Sequence, residues 1–324
     1  MRVLVTGGAG FIGSHVVEAL AALGDEVLVI DDLSTGHAEW IPGQRVVAAD
    51  VNSDEARLAI TTFRPESVVL LAAQPNVKTS MRDPLLDAQI NVVGLLRVME
   101  SAVEVGCSSF VFASSGGTIY GDVPISQQPI QEHEPYRPRS FYGVSKAAGV
   151  LYLDVYAHNF GVRCVSLALG NVYGPRQNPA GEAGVVALFA ERLVNGEQCT
   201  INGDGQTTRD FVHVRDVADA FAIATRRGSG LINLGTGIPV SVLEIYDTLA
   251  GYVDRDRSWA AFGPPLPGEV RAVALDPGEA RRQLGWGAET SLREGLHETI
   301  NWVAAQACNL PGQSSLIQKL GGLR

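Results

Sequence analysis

The chain has 324 residues, 46% of them hydrophobic and 19% charged, a balance typical of a globular protein with one large domain or two intimate ones. A formal net charge of −10 leaves no basic footprint and excludes sequence-independent nucleic-acid binding, although a few arginines and a helix N-terminus could still hold a diphosphate. The opening MRVLVTGG resembles no signal peptide, no segment has membrane-spanning length, and Cys107, Cys164, Cys199 and Cys308 stand singly without a CxxC, so a cytoplasmic protein with reduced thiols and no membrane partner is expected.

Along the chain, RVLVT (2–6), EVLVI (26–30), RVVAA (45–49), SVVLLA (67–72), SFVFAS (109–114) and VRCVSLAL (162–169) read as strands. Their apolar runs are nearly continuous rather than alternating, which is the mark of parallel strands covered on both faces. Helices are expected at about 11–23, 53–63, 84–105 and 140–159. This alternation predicts an α/β fold, a doubly wound parallel sheet of Rossmann type over residues 1–170, with ligands beyond the carboxyl ends of its strands. After Gly170 short strands, Gly-Pro turns and arginines take over, so 171–310 reads as a smaller lobe packed intimately on the first and partly interleaved with it. Residues 311–324 read as a tail.

The first strand runs into LVTGGAGFIG, where Gly7 and Gly8 are followed by Gly10, Phe11, Ile12 and Gly13. Glycines at this spacing allow a tight turn, bring backbone N–H groups to a pyrophosphate and open a helix whose dipole favours the anion. Asp31 follows Gly13 by 18 residues, at the end of the second strand, completing the dinucleotide fingerprint. A carboxylate at Asp31 or Asp32 accepts from ribose hydroxyls and repels a 2′-phosphate, so NAD is expected rather than NADP. Asp50 and Val51, after the third strand, are candidates for the adenine side, with helix capping as the alternative for Asp50.

Tyr142 and Lys146 lie four residues apart, on one face of the helix expected there. A neighbouring ammonium and a positively charged nicotinamide ring both favour phenolate, which makes the tyrosine a candidate general base. His133, His158 and His213 lack metal-ligand spacing and read as surface or core residues; no metal site is expected. Asp216 and Asp219 read as a solvated helix face, and Lys78 and Arg82 as either phosphate contacts or loop flanks.

The ordered set TGGAGFIG, DDLSTG (31–36), LAAQ (71–74), Asn91-Val92, SSGGTIYG (114–121), YGVSK (142–146), GNVYGPRQ (170–177) and RDFVHVRDVA (209–218) resembles the extended short-chain dehydrogenase/reductases, and among them the bacterial NAD-dependent UDP-sugar 4-epimerases of the UDP-glucose 4-epimerase type. The resemblance spans residues 1 to about 305. It implies a homodimer paired through the helices at 84–105 and 140–159, each subunit retaining NAD. It also implies cofactor contacts from Ser34, Thr35, Gly36, Leu71, Ala72, Ala73, Gln74, Asn91 and Ser114, besides Tyr142 and Lys146.

Sister enzymes differ before the YG of SSGGTIYG. Dehydratases carry Thr-Asp-Glu at the positions of 116–118 and decarboxylases a Glu at 118, whereas this chain has Gly116, Gly117 and Thr118. Without a carboxylate there, no general acid eliminates a 6-hydroxyl, which favours simple 4-epimerisation of a UDP-hexose through a 4-keto sugar. Thr118 is the expected hydroxyl partner of O4, with Ser115 the fallback, because the Ser that some relatives use falls at Gly116. For the UDP-sugar the resemblance implies Ser115, Gly116, Asn171, Gly184, Val185, Val186 and Arg209, the last with a surface pair to Asp210 as its alternative. Leu266 stands where relatives carry a diphosphate-binding arginine, leaving Arg271 or Arg176 to substitute, while Glu269 is retained for the uridine ribose. A small residue near the size gate, Val273, would admit N-acetylhexosamines. UDP-glucuronate is the other rival substrate, and a non-catalytic NAD-binding sensor on the same fold is the rival of another class.

Overall fold

The computed structural model describes residues 1–179, 184–265 and 270–308, without the side chain of Cys308; Leu266, Glu269 and the 311–324 segment therefore lie outside the described residues. Six strands of the first half, β1 (Arg2–Thr6), β2 (Glu26–Asp31), β3 (Arg45–Ala48), β4 (Ser67–Leu70), β5 (Ser109–Ser115) and β6 (Arg163–Leu169), form a parallel sheet in the order β6-β5-β4-β1-β2-β3. Their Val, Leu, Ile and Phe side chains are buried alternately in two clusters, one on each face of the sheet. Helices fill the crossovers: α1 (Phe11–Ala22), α2 (Asp54–Phe63), then α3 (Val77–Arg82), α4 (Pro84–Ala88) and α5 (Leu95–Glu104), the short α6 (Gly116–Ile119), and α7 (Phe141–Phe160). The sheet reverses its order between β1 and β4, which places the ligand crevice at the carboxyl ends of those two strands.

Two departures from the sequence reading concern helices. The single helix expected at 84–105 is interrupted by a π-helical turn at Gln89–Gly94, and an unforeseen helix, α3, precedes it. The wide turn holds Asn91 in a buried polar network, a tertiary contact that periodicity does not report. The long α7 starts at Ser140, whose Oγ accepts from the Gly143 N–H at 3.1 Å, and stops at Gly161, φ +66°.

The second lobe carries β7 (Asn171–Tyr173), α8 (Val185–Val194), β8 (Thr200–Asn202), β9 (Thr208–His213), α9 (Val214–Ala224), β10 (Gly230–Leu234), β11 (Pro239–Ser241), α10 (Val242–Gly251), β12 (Ala261–Gly263) and α11 (Leu292–Cys308). It forms a β11-β9-β7 sheet and a β12-β8 pair, with its own apolar cluster between α8, α10 and α11. The chain also returns to the first sheet: β10 pairs with β6 at its edge and α9 packs on α1. Arg176 pairs with Glu18 of α1 at 2.5 Å, and the His15 ring of the same helix hydrogen-bonds the Pro175 carbonyl.

Asp210 carries this junction. It is fully buried, and its carboxylate accepts from the N–H and hydroxyl of Thr236, from the Gly237 N–H and from the Leu275 N–H at 2.6–3.0 Å. The sequence alternative that made it a surface partner of Arg209 is therefore corrected. Asp216 is likewise not solvated: it is buried and accepts from the Thr290 N–H and hydroxyl, whereas Asp219 does lie exposed. Removing the Asp210 carboxylate strands buried donors, so Asp210→Ala should cost about 3–5 kcal/mol and lower the thermal unfolding midpoint by roughly 10 °C, read by calorimetry.

Candidate active site

The glycine turn after β1 is built by close approach. The Gly7 N–H donates to the Ile30 carbonyl, and Gly7 takes φ +69° with its α-carbon against the Ala72 backbone. A Cβ on Gly13 would lie 2.0 Å from the Gly7 oxygen, so only hydrogen fits there. Gly10 caps α1 with no side-chain hydrogen bond, leaving the first N–H groups of the helix turned toward whatever sits in the crevice. Phe11 and Ile12 form the helix's first turn.

Asp31 ends β2 and is nearly buried. Its Oδ2 accepts from the Ala9 N–H and its Oδ1 from the Leu33 N–H, both at 2.9 Å, which leaves further lone pairs for a ribose. Burial holds its carboxyl above the usual range, and the two N–H groups oppose that. Asp32 is exposed and bonds the N–H and hydroxyl of Ser34, folding Ser34, Thr35 and Gly36 into a turn; a Cβ at Gly36 would sit 2.7 Å from Asp31 Oδ1. Asp50 Oδ1 accepts from the N–H and side chain of Asn52, while the cap of α2 is Ser53, so Asp50 shapes a turn beside Val51 instead of capping the helix. These residues fit a dinucleotide with free ribose hydroxyls.

On the other side of the switch point, Leu71, Ala72, Ala73 and Gln74 leave β4. The Leu71 N–H bonds the Thr6 carbonyl and the Ala72 N–H the Thr6 hydroxyl. Gln74 is clasped by Asn91: the Gln74 N–H donates to Asn91 Oδ1 at 2.8 Å, and Asn91 Nδ2 donates to the Gln74 carbonyl at 3.0 Å. The same Nδ2 lies 2.9 Å from Asp87 Oδ1 and 3.3 Å from Ser145 Oγ. Asn91 thus supports the cofactor loop from behind, its amide wholly committed to protein partners.

The Tyr142–Lys146 pair lies where β5 meets α7. Lys146 is 4% exposed, its ammonium donating to the Ala113 carbonyl at 3.0 Å and lying 5.6 Å from the centre of the Tyr142 ring. Burial pulls its pKa down to about 8, and the Asp87 carboxylate opposes that pull. Burial pushes Tyr142 up to about 12; a hydrogen bond with Ser115 lowers it and Asp87 raises it. Of the two candidate hydroxyls, only that of Ser115 bears on the Tyr142 pKa. Thr118 Oγ1 turns back to the Ser115 carbonyl at 3.4 Å, and Ser114 Oγ reaches the Lys146 carbonyl at 3.5 Å.

Gly116 and Gly117 face different surroundings. A Cβ at Gly116 would meet Leu275 Cδ1 at 2.4 Å, whereas one at Gly117 would have only Asn171 Oδ1 near it, at 4.0 Å. Asn171, at the start of β7, thus borders the open side of the strip. Gly184 caps α8; Val185 is half-buried, and Val186 is in the core, so only its backbone could meet a ligand. Arg209 is half-buried at the start of β9, donating to the Thr208 carbonyl.

Three further candidates are placed by their packing. Arg176, with φ +71°, pairs its Nη2 with Glu18 and docks the lobe on α1, while its Nη1 is buried without a partner among the described residues. Arg271 is exposed, its backbone carbonyl accepting from the Thr208 N–H. Val273 is 3% exposed and packed in a cluster with Ile119, Tyr120 and Ala147, so it does not face open space as a size gate. Sequence reasoning missed Asp87, although a buried Asp and Asn at i and i+4 in an otherwise apolar stretch was its signal.

Among the described residues, no cluster of three or more metal-ligating side chains occurs and no helix is long and apolar enough to cross a membrane. Residues 3–235 match the family model described as the NAD dependent epimerase/dehydratase family. The UDP-glucose 4-epimerase of Mycolicibacterium smegmatis is 42% identical over 310 residues, covering 93% of this chain and 98% of the relative. Among solved structures, the UDP-glucose 4-epimerase of Thermotoga maritima with UDP-glucose superposes with a TM-score of 0.91 at 40% identity, covering 95% and 100% of the two chains. That of Thermus thermophilus in complex with NAD gives 0.88 at 42% identity, covering 94% and 99%. The glycine turn, Asp31 and the Tyr142–Lys146 pair sit within the matched span, and the chain belongs to the NAD-dependent epimerase/dehydratase family.

Proposed function

We propose that this protein is an NAD-dependent UDP-hexose 4-epimerase, interconverting UDP-glucose and UDP-galactose through a 4-keto sugar. The single observation that carries this reading is Tyr142, its ring 5.6 Å from the Lys146 ammonium, beside a strip, 116–118, that holds no carboxylate. Bound NAD, held by the glycine turn, Asp31 and Lys146, supplies the hydride acceptor and donor for C4. Tyr142 takes the proton of O4 and later returns it. Ser115 hydrogen-bonds O4 and the phenol together, so the proton moves along a preset line. Lys146 places a positive charge beside the ring, favouring the phenolate. The 4-keto sugar must turn over before reduction, and the open side of Gly117 facing Asn171 gives it room, with Arg209 available to the diphosphate.

Ser115 is a better candidate than Thr118 for the working hydroxyl, because Thr118 is turned onto the backbone. A Ser at 116 would collide with Leu275. With Val273 buried, nothing here singles out an N-acetylhexosamine; UDP-GlcNAc and UDP-glucuronate are the comparison substrates. The three described cysteines whose side chains are placed, Cys107, Cys164 and Cys199, are buried free thiols, which supports a cytoplasmic location.

The protein is also proposed to be a homodimer. Along α7, Val144, Leu151, Tyr152 and Val155 are 39–55% exposed, and Met81 and Leu85 of the neighbouring α3 and α4 lie at 53% and 82%. Such an apolar face on helices that pack together fits a self-paired interface.

Incubated with UDP-glucose and no added cofactor, the purified protein should form UDP-galactose, resolved by chromatography. No conversion of UDP-glucose, UDP-GlcNAc or UDP-glucuronate would sink the epimerase reading, and a 4-keto-6-deoxy product would replace it with a dehydratase. Tyr142→Phe should lower kcat by roughly 10³-fold and Ser115→Ala by roughly 10²-fold, with Thr118→Val under about tenfold; equal losses at 115 and 118 would undo the assignment. In sedimentation the wild type should run at twice the 34.4 kDa chain mass and a Leu151→Asp/Val155→Asp variant at the monomer mass.

A further inference from the structure

Asp87 is an acid that the reaction does not need, placed where it acts on both groups that the reaction does need. It is 1% exposed, on α4, the short helix that packs against α7. Its Oδ1 accepts from Gln74 Nε2 at 3.1 Å and from Asn91 Nδ2 at 2.9 Å. Asn91 continues to Ser145 Oγ, which itself donates to the Tyr142 carbonyl at 2.9 Å, so the network ends on the first turns of the helix carrying Tyr142 and Lys146. Every hydrogen-bond partner in this chain is neutral. From α7, the titratable groups that feel Asp87 are Tyr142 and Lys146; α3 offers Lys78 and Arg82, both exposed. Among the described residues no cation pairs directly with this buried carboxylate, which two side-chain amides hold, so its charge acts at longer range.

We propose that Asp87 is a positioning residue: the fixed counter-charge of the Tyr142–Lys146 pair, locked by Gln74 and Asn91 so that it keeps the Lys146 ammonium charged in a dry site and holds the Tyr142 proton until the oxidised, positively charged cofactor is in place. The proposal rests on Tyr142 acting as the base. It makes the site respond to its own occupancy. Asp87 opposes phenolate when the crevice is empty, and a positive ring beside Tyr142 overrides it.

The test uses the NAD-loaded protein and the isosteric Asp87→Asn, which can still accept from Gln74 and Asn91. Because Asp87 holds both protons on, its neutralisation should move both limbs of the kcat–pH profile to lower pH by about one unit, so that activity on the alkaline side falls about tenfold at fixed pH. Tyrosinate absorbance, with Tyr142→Phe as the blank, should appear at correspondingly lower pH in the absence of turnover. Asp87→Ser, neutral but too short for the amide contacts, should shift the same way. Water entering a loosened site would instead ease both burial effects, moving the tyrosine down and the lysine up; limbs that move in opposite directions overturn the proposal. So do unmoved limbs with a lower plateau, a shift in Asp87→Ser without one in Asp87→Asn, or failure of both variants to fold. If Tyr142→Phe turns over normally, the general-base reading falls instead, and the tyrosinate titration still decides the fate of Asp87.

Discussion

Asp210 ties together three segments that are distant in sequence: the start of β9, the turn after β10 at the edge of the main sheet, and the strand-like stretch through Leu275. A carboxylate with no access to water must satisfy its lone pairs from protein, and here the donors are three backbone N–H groups and the Thr236 hydroxyl. The arrangement is stringent. Gly235 has no Cβ because one would lie 2.4 Å from Asp210 Oδ2, and the Gly170 backbone passes close by on the way from β6 to Asn171. Asn171 and Arg209 therefore reach the strand ends of the first domain in a fixed relation to them. That anchor adds to the β10–β6 pairing, the α9–α1 packing and the Arg176–Glu18 pair in seating the second lobe on the first.

Lys146 and Tyr142 are each held far from their ordinary titration behaviour by burial, in directions that suppress charge on both. A lysine whose folded pKa lies below its unfolded value lowers stability most where both forms are protonated, below about 8, and that cost fades as pH rises toward 10.5. The tyrosine has the opposite sign: its raised pKa favours the folded state below pH 10, and that contribution is lost as pH rises from 10 toward 12. At neutral pH the buried lysine is thus a local cost to folding, set against the packing around it.

The strands, the glycine turn, Asp31 and the Tyr142–Lys146 spacing were legible in the sequence because each is a local pattern enforced by backbone geometry or helix periodicity. The absence of a carboxylate at 116–118 was equally legible, and it carried the choice of reaction. Illegible were the residues whose meaning comes from the far side of the fold. Asp210 follows Arg209 directly and looked like its surface partner, yet the two side chains belong to different environments because strand neighbours point to opposite faces. Arg176 has the chemistry of a phosphate ligand, and only the packing of α1 shows that Glu18 claims it. The π-turn around Asn91 left no trace in periodicity, since one extra residue in a helical turn is absorbed by the polar network it serves. Val273 was placed by register alone, and register does not say which way a buried side chain faces.

Gly116 and Leu275 share one small volume: a side chain grown from the first would enter the space filled by the tip of the second. A side chain at 116 therefore requires the tip of Leu275 to turn aside, while the backbone of Leu275 stays held from behind by Asp210. The floor of the 116–118 strip is thus set by a residue 159 positions away in the chain, and its shape answers to substitutions there as much as to its own sequence.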